Sequence, residues 1–120
     1  MSETILEAIQ KRVLLGDGAM GTQLQSAGLE PGGCGEAWNV DYPDRLLTIQ
    51  RAYVEAGSDC LITNTFGGCR IMLERHGRAN DVAAINKAGA NLAREALGTK
   101  AGFVIGDIGP FGGLMEPYGD

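Results

Sequence analysis

With 120 residues, 44% of them apolar and 21% charged, the chain fits one domain with a real core and is neither disordered nor fibrous. A net charge of -5 with no basic cluster argues against nucleic acid as a partner. No apolar run approaches the roughly 20 residues that cross a bilayer, and Met1-Ser2-Glu3-Thr4 lacks the basic and apolar regions of a signal peptide. No membrane partner is therefore expected, and a cytoplasmic location is.

Residues 3–11 read as a short helix with Ile5, Leu6 and Ile9 on one face, suited to plugging a barrel end or covering a sheet edge. A first strand is expected at Val13–Gly16. Gly21 to Ala27 reads as a helical turn ended by Gly28. Residues 28–42 read as a Gly- and Pro-rich loop carrying Glu36-Ala37-Trp38-Asn39. Its lone Trp38 has two readings, a packing anchor for the loop or a lid facing a ligand. Pro43 opens the next helix, with Leu46, Ile49, Tyr53 and Ala56 at helical spacing and Gly57 as the stop.

A second strand follows at Cys60–Thr63, then a short helix from Cys69 to His76. A stronger helix runs from about Asp81 to Leu97. Val82, Ile85, Gly89, Leu92 and Ala96 form its apolar stripe, and Ala88, Gly89, Ala90 and Ala93 keep it thin enough to pack closely on a sheet. A third strand spans Phe103–Asp107, and Gly109 to Asp120 read as loop. Strands that alternate with helices predict an α/β fold with a parallel sheet.

Each expected strand delivers a polar residue and glycines at its end. Val13-Leu14-Leu15 runs into Gly16-Asp17-Gly18, Cys60-Leu61-Ile62-Thr63 into Asn64-Thr65-Phe66-Gly67, and Phe103-Val104-Ile105-Gly106 into Asp107-Ile108-Gly109. In parallel α/β folds that is where ligands are held. There is no G-x-G-x-x-G after a strand and no Walker lysine, so dinucleotide and phosphate readings are weak. The acidic centre of Gly16-Asp17-Gly18 would repel a phosphate and suits a cationic amine.

The three cysteines, Cys34, Cys60 and Cys69, are expected to be free thiols, Cys60 as an ordinary buried strand residue. Their spacing matches no CxxC metal knuckle, and no metal ligand is assigned within the chain.

Gly16-Asp17-Gly18-Ala19-Met20-Gly21-Thr22, Glu36-Ala37-Trp38-Asn39, Ala52-Tyr53-Val54-Glu55-Ala56-Gly57-Ser58-Asp59 and Thr63-Asn64-Thr65-Phe66-Gly67 together resemble the homocysteine S-methyltransferase family. The likeness runs in order from Arg12 to Pro110 and looks most like the homocysteine-binding module of a cobalamin-dependent enzyme. It implies a (β/α)8 TIM-type barrel, of which residues 1–120 would be an N-terminal fragment holding the first three strands. Such barrels run to about 250 residues. It also implies transfer of a methyl group to the thiol of homocysteine, giving methionine.

The resemblance further implies a zinc ion for the full domain, held by three cysteines of later strands. None of Cys34, Cys60 and Cys69 matches their motif. A methyl donor or a corrinoid module would be the second partner, with cobalamin as one carrier of the methyl group. Asp17 matches the family's acid for the substrate ammonium, against a reading as a helix cap. Gly18, Ala19 and Met20 are then expected to offer backbone N–H groups to the substrate carboxylate. Asn64 and Thr65 stand where the family places substrate contacts, against a reading as loop-fixing residues. Asp107 holds the comparable place on the third strand, or shapes its turn. No catalytic residue is expected within the chain.

Two alternatives stand beside this reading. One is a catalytically inactive barrel fragment whose open strand edges drive self-association. The other is a corrinoid-linked methyltransferase with a different acceptor.

Overall fold

The computed structural model describes residues 2–114 and 116–118; Met1, Met115, Gly119 and Asp120, the last three in the expected closing loop, lie outside the described residues. The elements are α1 (Ile5–Lys11), α2 (Gly21–Ser26), α3 (Trp38–Asp41), α4 (Pro43–Glu55), β1 (Cys60–Ile62), α5 (Arg70–Glu74), α6 (Val82–Leu97) and β2 (Phe103–Ile105), with a 3-10 turn at Ala79–Asp81 ahead of α6. No described helix is long and apolar enough to cross a membrane.

β1 and β2 pair in parallel, with Cys60 opposite Phe103, Leu61 opposite Val104 and Ile62 opposite Ile105. The helices between them make the long crossover that a parallel pair requires. The expected first strand is only partly realised. Gly16 forms a single parallel bridge to Cys60, and Val13 is 94% exposed. The ladder cannot extend backwards because the Leu15 N–H goes to the Asp59 carboxylate at 2.9 Å instead of to a strand. The Leu15 carbonyl accepts the amides of both Asp59 and Cys60, and Asp17 N–H reaches the Cys60 carbonyl at 3.0 Å. The segment therefore runs beside β1 in the expected parallel direction without being a regular strand.

α1 forms where expected, capped by the Thr4 hydroxyl, which accepts the Glu7 N–H. Its expected apolar face is not buried. Ala8 is inside, whereas Leu6 and Ile9 stay exposed. The expected loop at 28–42 contains a further short helix, α3, at its end.

α4 begins on Pro43, whose missing N–H has no intrahelical partner to lose at that position. Leu46, Leu47 and Ile49 turn inward and meet Leu92, Ala93, Ala96 and Leu97 of α6, with Leu61 of β1 completing the cluster. Leu46 and Leu61 are fully buried, and burying a leucine contributes about 2 kcal/mol. Gly57 and Gly98 end α4 and α6 at positive φ, as their sequence positions predict.

Trp38 belongs to this core: it is 6% exposed and meets Tyr42 edge-on at 5.5 Å. The Arg45 guanidinium lies 5.3 Å from its ring centroid. It is the packing anchor of the two readings.

Two features carry the core toward the strand ends. Gly89 lets α6 close on the loop after β1, since a Cβ there would sit 2.7 Å from the Thr65 methyl and 2.9 Å from Asn39 Nδ2. Arg78 ties α3 to the start of α6 through a bidentate pair with Asp41 and a bond to Asp81. These two carboxylates raise its pKa further.

Candidate functional site

At the C-terminal ends of β1 and β2, and beside the Gly16 bridge, the chain forms a cleft of about 380 Å³. Asp17, Met20, Glu36, Phe66 and Asp107 stand around it, with Ile62, Thr63 and Asn64 at its base on the β1 side. Three of these are acids, and no Lys, Arg or His lines it among the described residues. The cleft is therefore acidic, a field that favours a positive group over a phosphate.

Asp17 is placed by the short parallel contact. Its N–H is tied to Cys60, and its Oδ2 accepts the Ile62 N–H at 3.2 Å. Its Oδ1 is buried and has no hydrogen-bond partner among the described residues. An unpartnered carboxylate oxygen shielded from water is costly unless a ligand supplies the donor. Burial raises the pKa of Asp17, and the Ile62 and Asp17 backbone N–H groups offset part of that rise.

After Asp17, the N–H groups of Gly18, Ala19 and Met20 find no acceptor among the described residues. Gly18 and Met20 line the cleft. The Ala19 carbonyl points elsewhere and accepts the Tyr53 hydroxyl.

The other expected site residues divide. Asn64 reaches the cleft, but its amide is committed: Nδ2 donates to the Gly35 carbonyl and to Asn39 Oδ1, both at 3.0 Å. Thr65 lies behind the cleft, beside a smaller cavity of about 120 Å³. Its hydroxyl donates to the Asp107 carbonyl at 2.7 Å and pairs with Thr63. Thr63 in turn accepts the Asp107 N–H at 3.0 Å. Two strand-end hydroxyls thus clasp the backbone of Asp107 and set the spacing between the ends of β1 and β2.

Beyond Ile62, Thr63 and Phe66, which line the cleft, two polar residues that sequence reasoning did not assign to the site shape it. Glu36 was quoted only as part of its motif. It stands against the backbone of Gly67, where a Cβ would come within 2.7 Å of its Oε1. Asn39 is buried and donates to the carbonyls of Asn64 at 2.8 Å and Ile85 at 3.0 Å. The available signal was a polar residue directly after the buried Trp38, a place where only a satisfied amide is tolerated.

A second depression, of about 420 Å³, is lined by Trp38, Tyr42, Arg45 and His76 and holds none of the strand-end residues.

The match that decides the family covers most of the chain: the homocysteine S-methyltransferase model aligns with residues 14–120. The chain belongs to the homocysteine S-methyltransferase family. It is 40% identical to the methionine synthase of Mycobacterium tuberculosis (strain ATCC 25618 / H37Rv) over 88% of its own length and 10% of that protein's. The same figures hold for the methionine synthase of Mycobacterium leprae (strain TN). The chain thus spans about a tenth of the length of the curated relatives it matches. Among solved structures it resembles the metallated form of the homocysteine methyltransferase MmuM from Escherichia coli. There the TM-score is 0.70 at 27% identity, over 88% of this chain and 41% of that one. The oxidized form of MmuM gives 0.70 at 28% identity.

Among the described residues no group of three or more His, Cys, Asp or Glu could hold a metal ion. Cys60 is buried in β1, and its thiol is pushed up first by burial and then by Asp59 and Asp17. Burial also pushes up the Cys34 thiol.

Proposed function

We propose that this chain supplies amino-acid recognition to a methyltransferase that places a methyl group on the thiol of homocysteine, giving methionine. In that reaction the sulfur gives up its proton and attacks the methyl carbon. A carbon–sulfur bond forms, and the bond to the donor breaks with its electron pair leaving on the donor. No residue described here performs those steps, and a metal that activates the sulfur is not assigned to these residues.

The observation that carries the reading is the buried, unpartnered Oδ1 of Asp17, directly ahead of backbone N–H groups that have no acceptor. An α-amino acid presents an ammonium and a carboxylate a few ångströms apart. Asp17 takes the ammonium through a charge-assisted hydrogen bond. The Gly18, Ala19 and Met20 N–H groups are the donors for the carboxylate. Glu36 and Asp107 add negative field and favour the ammonium end on the acidic side.

On this reading the chain forms the opening β/α units of a (β/α)8 barrel. Two findings support it: the parallel β1–β2 pairing, and the likeness to MmuM over 41% of that chain. Further units would bring a thiol-activating zinc and the methyl donor or corrinoid module. A cytoplasmic location fits such an enzyme.

The test is backbone NMR of the 120-residue chain titrated with L-homocysteine. Shift changes centred on residues 17–21 and 62–66 are expected. Changes centred on Trp38 and Arg45, or none, would contradict the assignment. An equal response to ethanethiol would favour a methyltransferase with another acceptor.

A further inference from the structure

Between Asp17 and the start of α2, the chain has little to hold it. Up to Asp17 it is pinned to β1, through the Asp17 N–H to Cys60 and the Asp17 carboxylate to Ile62. From Met20 onward it is held by α2, whose first bond runs from Leu24 N–H to the Met20 carbonyl at 2.8 Å. In Gly18 and Ala19 the one hydrogen bond given or accepted among the described residues is that between the Ala19 carbonyl and the Tyr53 hydroxyl.

Tyr53 reaches this loop from α4, thirty-four positions away in sequence. Its ring lies so close to Gly18 that a Cβ there would be 3.2 Å from both Cε1 and Oη. A side chain at Gly18 would push the ring back by a few tenths of an ångström and strain its bond to the Ala19 carbonyl. The ring also packs on the main core, as does the Met20 side chain.

The consequence follows from peptide geometry. The Ala19 carbonyl and the Met20 N–H belong to one planar unit, and in a trans peptide they point in opposite directions. By drawing the Ala19 carbonyl toward α4, Tyr53 turns the Met20 N–H away from α4. That N–H then has no acceptor among the described residues, and its residue lines the cleft.

We propose that Tyr53 is a positioning residue for amino-acid recognition: it holds the Ala19–Met20 peptide with its N–H turned to receive the substrate carboxylate. This rests on the reading of the cleft given above and names the group that prepares its anion-binding half. Without the hydroxyl, the peptide is free to rotate and presents carbonyl and N–H in turn.

The test uses Tyr53→Phe, which keeps the ring and removes the bond. Two ligands are titrated into both chains: L-homocysteine, and 3-aminopropane-1-thiol, which has the thiol and the amine but no carboxylate. Tyr53→Phe is expected to weaken L-homocysteine about tenfold and to leave the carboxylate-free thiol unchanged. Nitrogen relaxation is expected to show new fast motion at Ala19 and Met20 alone. Because the readout is a ratio of two affinities within one variant, a general loss of stability does not imitate it. Equal weakening of both ligands, or an unchanged ratio, overturns the role of Tyr53 while leaving the cleft assignment intact. If the unmodified chain binds neither compound, the cleft assignment fails and this inference falls with it.

Discussion

Asp17 and Ile62 meet at the point where the first parallel segment and β1 both end: one carboxylate oxygen of Asp17 accepts the Ile62 N–H at 3.2 Å. The other oxygen is buried and unpartnered. One contact thus fixes the acid against the sheet and leaves its second oxygen without a hydrogen-bond partner among the described residues, in a residue that lines the cleft.

The pH dependence of folding follows from that placement. Burial raises the Asp17 pKa, so the folded chain keeps this proton to higher pH than the unfolded chain does. Its contribution to stability is full below the ordinary carboxylate range and is lost as pH rises through the raised folded value. Melting of the unmodified chain and Asp17→Asn across about pH 3 to 7 is expected to show the variant gaining relative stability toward neutral pH. Ligand binding runs the other way, because the ammonium pairs with the ionised acid. L-Homocysteine affinity is expected to rise over the same window.

Asn39 is expected to be the most sensitive polar position. Its amide bonds the Asn64 and Ile85 carbonyls and accepts from Asn64 Nδ2. Asn39→Ala leaves these buried groups unpaired, at about 3 kcal/mol. Urea unfolding would show the loss. A change below about 0.5 kcal/mol would mean that the network does not hold the loop after β1.

Much of this was legible in the residues. The α6 stripe of Val82, Ile85, Gly89, Leu92 and Ala96 repeats at helical spacing, and all of it but the half-buried Val82 is buried. The expected partners at the strand ends were legible for the same reason: short apolar runs broken by glycine and one polar residue. What escaped depends on contacts distant in sequence. Whether Val13–Gly16 becomes a strand is decided by Asp59, whose carboxylate takes the Leu15 N–H. Whether Asn64 faces a ligand or its own loop is decided by Asn39 and Gly35, which occupy its amide. Neither choice is written in local periodicity. The short α3 was missed because its four residues sit among glycines and are held by burial of Trp38 rather than by propensity.

Gln50 offers a route to greater stability. It is fully buried on α4, and neither Nε2 nor Oε1 has a hydrogen-bond partner among the described residues. Gln50→Met keeps the shape and removes the polar atoms. The expected gain is about 1–2 kcal/mol, read as a melting point higher by about 4 °C or more. A loss would show that the amide is hydrogen-bonded in solution.

The exposed apolar residues predict association of the isolated chain. Ile62 and Ile105 of the paired strands are exposed, as are Val13 and Leu15 beside them. Such a surface on a sheet with unpaired edges recruits further copies. Sedimentation at rising concentration is expected to show larger species, reduced in Ile62→Lys. A single monomeric species at all concentrations would contradict this.

The central claim is that Asp17 holds the ammonium of an amino acid. Its most direct measurement is calorimetric titration of the chain and of Asp17→Asn with L-homocysteine and with 4-sulfanylbutanoate, which lacks the amine. Asp17→Asn is expected to bind L-homocysteine about tenfold more weakly or worse and to treat the amine-free compound as the unmodified chain does. Unchanged L-homocysteine affinity in Asp17→Asn would contradict the claim.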